Sequence, residues 1–243
     1  MGRREELAAG VQHGHMTLQA RTLAMSLSVD DALGGVVTLG LLEAERVSSQ
    51  PLPPEFAHER DAVVQRWIDH HAGKQPADIP SVQETRSLFH RLGIDPTKHR
   101  PSSEALLRRV LQGRGLPTVN SVVDVCNLVS LEHQLPLGLY DRDRLRGPVR
   151  VRLGREGEGY SGIRKQHVNL RDKLLLADDD GPFGAPTSDS ARTSVTETTT
   201  NVLVVLFCPA DRSTDLLSAA LERVADGITR FCGGTVIAVR VVQ

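Results

Sequence analysis

Aromatic residues make up only 3% of the 243-residue chain, one Trp, two Tyr and five Phe. A binding mode built on a platform of stacked bases therefore has few rings to draw on. Cysteine is also sparse: Cys126, Cys208 and Cys232 are odd in number, show no CxxC spacing and sit in apolar runs. That usage excludes a disulfide scaffold and suggests buried thiols in a reducing compartment. No apolar run approaches the roughly 18–20 residues of a membrane span. Met1–Ala24 lacks the continuous apolar segment of a signal peptide, so a cytoplasmic protein without membrane contact is expected. The chain has no GxxxxGK[ST] loop, no GxSxG elbow and no HExxH helix, which removes the common nucleotide-binding, hydrolase and zinc-protease signatures. His13 and His15 lie in a polar terminus, and the adjacent His70 and His71 face different ways on a helix. We expect no metal site and no cofactor.

What is present is ordinary globular material: 40% hydrophobic and 24% charged residues, with a mean hydropathy of −0.21. The chain is long enough to bury a sizeable core. The net charge of −1 hides an uneven distribution, because residues 1–85 sum to −5, residues 86–171 to +8 and residues 172–243 to −4. The basic middle is nearly all Arg, whose planar fork suits phosphate. It reads either as an anion-facing surface or as a solvated one.

The hydrophobic pattern places a strand at 36–42 and a helix over 55–71, with Phe56, Val63, Val64, Trp67 and Ile68 on one face. A capping box of Ser81 and Glu84 starts a second helix. Pro101-Ser102-Ser103-Glu104 starts a third, with Ser as the cap and Gly113 as the stop. Helical spacing recurs over 118–132, where Asn120, Asp124 and Asn127 fall on one face. Strands follow at 134–140, 148–153 and 173–177, then a long breaker-rich loop over 178–193, a strand at 201–207, an amphipathic helix over 214–231 and a last strand at 234–242. This order favours an α+β architecture over a wound parallel sheet.

Four groups of polar residues carry chemistry. The Asn120, Asp124, Asn127 face is either a ligand pocket or a structural network. Gly157-Glu158-Gly159-Tyr160 sets a carboxylate between glycines, as a ligand-approach site or a hairpin turn. Thr187-Ser188-Asp189-Ser190 with Arg192-Thr193 is either a ribose- or phosphate-binding set or a hydroxyl-rich turn. Thr196–Thr200 reads as the lead into a strand.

Taken together, RPSSEALLRRVL (100–111), LPTVNSVVDVCNLVSLEHQLPLGLYD (116–141), GEGY (157–160), LLADDDGPFGAPTSDS (175–190) and VTETTTNV (195–202) resemble the B3/B4 domain of the phenylalanyl-tRNA synthetase beta subunit, and more closely its free-standing relatives. The resemblance implies a single α+β domain over 25–243, with a mixed or antiparallel sheet and flanking helices, preceded by a flexible extension over 1–24. It also implies hydrolysis, in trans, of the ester of a misacylated tRNA, with tRNA rather than DNA as partner through its aminoacylated 3′ end.

On that basis Asp124, Asn127 and Glu158 are the expected catalytic residues. Asn120, Cys126, Gly138, Ser188, Asp189, Ser190 and Arg192 are the expected substrate contacts, and Arg100, Arg108, Arg109, Arg142, Arg144 and Arg146 the expected tRNA contacts. Gly138 stands where the synthetase has a pocket histidine, which opens space, and Arg192 falls near its editing-pocket glutamate, which reverses charge. An aminoacyl ester is already reactive, so orientation and hydrogen bonds to the developing oxyanion suffice without a strong base. Two other readings stay open: a non-catalytic module that binds tRNA or a protein through the basic surface, and hydrolysis of a small aminoacyl or amide metabolite.

Overall fold

The computed structural model describes residues 25–163 and 165–243. The N-terminal extension, with His13 and His15, lies outside the described residues. The strands are β1 (Leu27–Val29), β2 (Val37–Glu45), β3 (Leu137–Asp141), β4 (Val149–Leu153), β5 (Gly159–Gly162), β6 (Lys165–Asn169), β7 (Leu174–Asp178), β8 (Gly181–Ala185), β9 (Ser188–Asp189), β10 (Val202–Pro209) and β11 (Thr235–Val242). The helices are α1 (Pro54–His71), α2 (Pro80–Arg91), α3 (Ser102–Leu111), α4 (Ser121–His133) and α5 (Thr214–Cys232).

The architecture is α+β and layered. An antiparallel sheet in the order β11-β2-β10-β3 forms the centre. Its strands β2 and β10 are buried along almost their whole length because both faces are covered. On one face Leu42, Ala44, Val204 and Leu206 pack against Phe56, Leu107, Val125, Leu221 and Ile228 of the helices. On the other, Leu39, Leu41, Leu203, Val205 and Phe207 meet Val149, Val151, Leu174, Leu176 and Phe183 of a second, mixed sheet, ordered β1-β4-β7-β8-β9. That sheet is covered on its outer side by the β5–β6 hairpin, through Leu175 and Ala177 against Tyr160 and Val168. The run Leu174-Leu175-Leu176-Ala177 thus alternates between two separate cores. Gly227 lets α5 approach α4 closely, since a β-carbon there would press on Val125. Cys126, Cys208 and Cys232 are free and buried, as expected.

Several local expectations are corrected. Ser81 lies inside α2, whose cap position is Ile79 with Pro80 following, and no side chain caps it. Ser102 and Ser103 do not cap α3 either, because the helix begins at Ser102 behind Pro101. In place of capping, the buried Glu104 takes a two-pronged hydrogen bond from Arg86 (2.8 and 2.7 Å) and an ion pair from Arg100 (3.3 Å). The expected loop over 178–193 is largely sheet, containing β8 and β9. Thr196–Thr200 leads into β10 through a turn, and within it the Thr199 hydroxyl donates to Asp141 (2.7 Å). Among the described residues, no helix is long and apolar enough to cross a membrane.

A cleft at the sheet edge and its carboxyl group

β3 is the edge strand of the central sheet, and its alternation decides what each side chain can reach. Leu137 and Leu139 point to the helix side and line a cleft of about 470 Å³. Gly138 and Tyr140 point the other way, between the sheets. The chain enters β3 from α4 through Gln134 in the left-handed conformation, a turn held by Ser130 donating to Leu135 O (2.8 Å) and Thr85 donating to Gln134 O (2.9 Å). The remaining walls of the cleft come from Val123, Cys126 and Asn127 of α4, Pro117 and Val119 ahead of it, Gly162 and Ile163 of the hairpin, Thr187 and the β9 residues Ser188 and Asp189, and Ser194 and Val195.

Asp189 is the charged residue in this lining. Its carboxyl accepts a hydrogen bond from the Tyr140 hydroxyl (2.8 Å), and burial pushes it up to about 7 against that bond and one from the Ala185 amide. The phenol is itself clamped. It lies between Gly138 and Gly184, where a β-carbon on either would overlap the hydroxyl, and it meets Phe183 edge-on at 4.8 Å between ring centroids. Tyr160 donates to Ser188 O (2.5 Å), which fixes β9 from the hairpin side. The Ser188 hydroxyl is buried without a hydrogen-bond partner, and Asn127 makes no side-chain hydrogen bond among the described residues. Two polar groups and one near-neutral carboxyl thus face an otherwise mainly apolar cleft. Gly184→Ala is expected to cost about 1–3 kcal/mol in an equilibrium unfolding experiment, because Tyr140 has no alternative volume to occupy.

The structure brings together Cys126, Asn127, Ser188 and Asp189 of the expected site, and separates the rest. Asn120 is the N-cap of α4, its side chain accepting from the Val123 amide (3.0 Å). Asp124 accepts from the Val119 amide (2.8 Å) and opens on a neighbouring cavity of about 530 Å³ with Asn120 and Arg60. The expected common face therefore divides between two cavities, with Val119 shared by both. Gly138 does not open the cleft, because the strand register turns it toward the other face and Tyr140 fills the space. Glu158 lies elsewhere, gripped by Arg152 (2.6 and 2.7 Å) and the Arg155 amide (2.7 Å); those bonds hold it below the usual carboxylate range. Ser190 caps the short turn after β9, accepting from the Arg192 amide (3.1 Å). Arg192 does not charge the cleft, since its guanidinium is paired with Asp178 (2.7 and 3.0 Å), whose side chain is fully buried.

The expected tRNA contacts also divide. Arg142 is largely buried between Glu43 (3.1 Å) and Glu45 (3.0 Å). Arg100 is paired with Glu104, and Arg144 with Asp141 (3.3 Å). Arg146 donates to the backbone at Asp143 (3.1 Å). Arg108 and Arg109 are exposed on α3. Tyr140 lies outside the residues expected at the site, although Gly138-Leu139-Tyr140 carries the signal for it: in a strand the glycine and the tyrosine share a face.

The fold is that of an α+β domain with an edge cleft between a central sheet, a helix and an overlying hairpin, and with one carboxyl in that cleft. Residues 84–233 match the B3/4 domain family, to which this chain belongs. Similar curated proteins are phenylalanine–tRNA ligase beta subunits. That of Bartonella henselae is 32% identical over 54% of this chain and 16% of its own length, and that of Psychrobacter arcticus is 37% identical over 55% and 17%. The chain thus matches about one sixth of the length of these relatives. The crystal structure of an N-terminal fragment of the Pyrococcus horikoshii phenylalanyl-tRNA synthetase beta subunit aligns with a TM-score of 0.47 and 12% identity, over 96% of this chain and 58% of that one.

Proposed function

We propose that the protein hydrolyses the ester of misacylated tRNA in trans, with the aminoacyl group seated in the β3–α4–β9 cleft. The observation that supports this reading is the Asp189 carboxyl, positioned by Tyr140 beside the free Asn127 amide and the unpartnered Ser188 hydroxyl in a space the size of a small-molecule site. The walls formed by Leu137, Leu139, Ile163 and Val195 suit an uncharged side chain. Asp189 takes a proton from water as the water oxygen attacks the ester carbonyl, and returns it to the ribose oxygen as the ester bond breaks. Asn127 supplies an N–H to the developing oxyanion.

The test is deacylation of a panel of cognate and misacylated tRNAs. One or a few are expected to lose their ester faster with the protein, and Asp189→Asn to slow that reaction by about 10²–10⁴-fold. No acceleration for any member of the panel, under conditions where tRNA still binds, would overturn the hydrolase and leave a non-catalytic tRNA-binding module.

A further inference from the structure

From Ala105 to Val123 the chain contains three arginines, Arg108, Arg109 and Arg114, and no acidic residue. The structure keeps all three exposed at the C-terminal end of α3 and in the turn beyond it. Most of the other arginines among the described residues are committed to carboxylates, through Glu43, Glu45, Glu59, Glu104, Glu158, Asp178 and others. These three form no ion pair among the described residues. Arg109 donates to Gly115 O (2.9 Å), which folds the turn back under the helix end. Only two residues separate Arg114 from Pro117, which already lines the cleft.

From this juxtaposition we infer that the α3 end and its turn form a phosphate-binding surface for an RNA strand whose terminus enters the cleft. Guanidinium forks without a carboxylate partner are matched to phosphate oxygens. A protein partner fits less well, because binding hot spots on proteins centre on buried aromatic or large apolar anchors, and this patch offers Ala105, Gln112, Gly113 and the arginines. The inference narrows the six arginines expected from the sequence to Arg108 and Arg109 and adds Arg114. It rests on the cleft being the site of the proposed function, but its test does not depend on ester cleavage.

Binding of deacylated tRNA is measured by fluorescence anisotropy across a salt series, for the wild type and for Arg108→Glu/Arg109→Glu/Arg114→Glu, with thermal melting confirming that the variant is folded. The expected result is at least a tenfold loss of affinity at 100 mM salt and a log–log salt dependence shallower by about 2–3, one phosphate contact per arginine. Unchanged affinity in the folded variant would overturn the surface. So would a wild type that binds no tRNA but binds an acidic polypeptide. A variant that loses tRNA binding, alongside a wild type that cleaves no ester, would keep this surface and reject the hydrolase reading.

Discussion

Glu43→Ala is expected to destabilise the fold by about 3–5 kcal/mol, the range for removing one partner of a buried charge cluster. Glu43 is 1% exposed at the middle of the central sheet. It faces Arg142 (3.1 Å) and Arg240 (3.1 Å), and accepts from the Met25 amide (2.8 Å). The carboxylate therefore ties the end of β3, the edge strand β11 and the start of the described chain to β2. Removing it leaves Arg240 without its carboxylate partner and Arg142 with Glu45, next to a position that is itself almost fully buried, so the loss exceeds that of a surface pair, which is about 0–1 kcal/mol. Urea denaturation followed by circular dichroism reads the effect, and a loss below about 1 kcal/mol would show that solvent already screens the cluster. The same arithmetic explains why Arg142 is a poor RNA ligand. Turning it outward would break the pairs that hold the sheet together.

The helical elements were legible because burial repeats along them at helical spacing: α1, α4 and α5 lie within a few residues of their expected bounds. The strand alternation in β4 and the apolar runs of β2 and β10 were legible for the same reason. The segment 178–193 was not, because its glycines and prolines carry the composition of a loop. Gly184 is needed there as space for Tyr140, an argument that depends on a strand more than 40 residues away. Caps failed at Ser81 and Ser102 because α2 starts at Pro80 and α3 at Ser102, so both serines lie inside the helix and not at the extended N-cap position from which a hydroxyl reaches the free first-turn amides.

At the site, the sequence displays residue types and leaves their partners out of view. Glu158, Arg192 and Arg142 are reactive groups when viewed singly, and each is neutralised by a charge that the fold delivers: Arg152, Asp178 and Glu43. A sequence displays charges without showing which of them are already paired. Asp189 was expected to hold a ribose or phosphate. The fold instead turns it toward a phenol buried between two glycines, and the desolvation there makes it the carboxyl best suited to proton transfer at neutral pH.

That placement has opposite consequences for activity and for stability. A carboxyl whose native value lies at about 7, above its ordinary value near 3.9, binds more protons in the folded than in the unfolded protein between those limits. Its contribution to stability is therefore present at low pH and is lost as the pH rises toward about 7. Asp189→Asn preserves an oxygen that accepts from Tyr140 and removes the desolvated charge. The variant is expected to melt above the wild type at pH 8, with the difference vanishing near pH 4, while ester cleavage is lost. Tyr140→Phe keeps the ring between its glycines and deletes the donor that favours the ionised carboxylate. Wild-type cleavage should rise through a midpoint near pH 7 as Asp189 ionises. In Tyr140→Phe that midpoint should move upward, lowering the rate at pH 6 by roughly tenfold, the scale of a hydrogen bond to a charged group. Melting at pH 4, 6 and 8 and pH–rate profiles of both variants decide the matter. An Asp189→Asn protein less stable than the wild type at pH 8, or a Tyr140→Phe profile that scales down without shifting, would show Asp189 to be a structural partner of the phenol rather than the group that moves the proton.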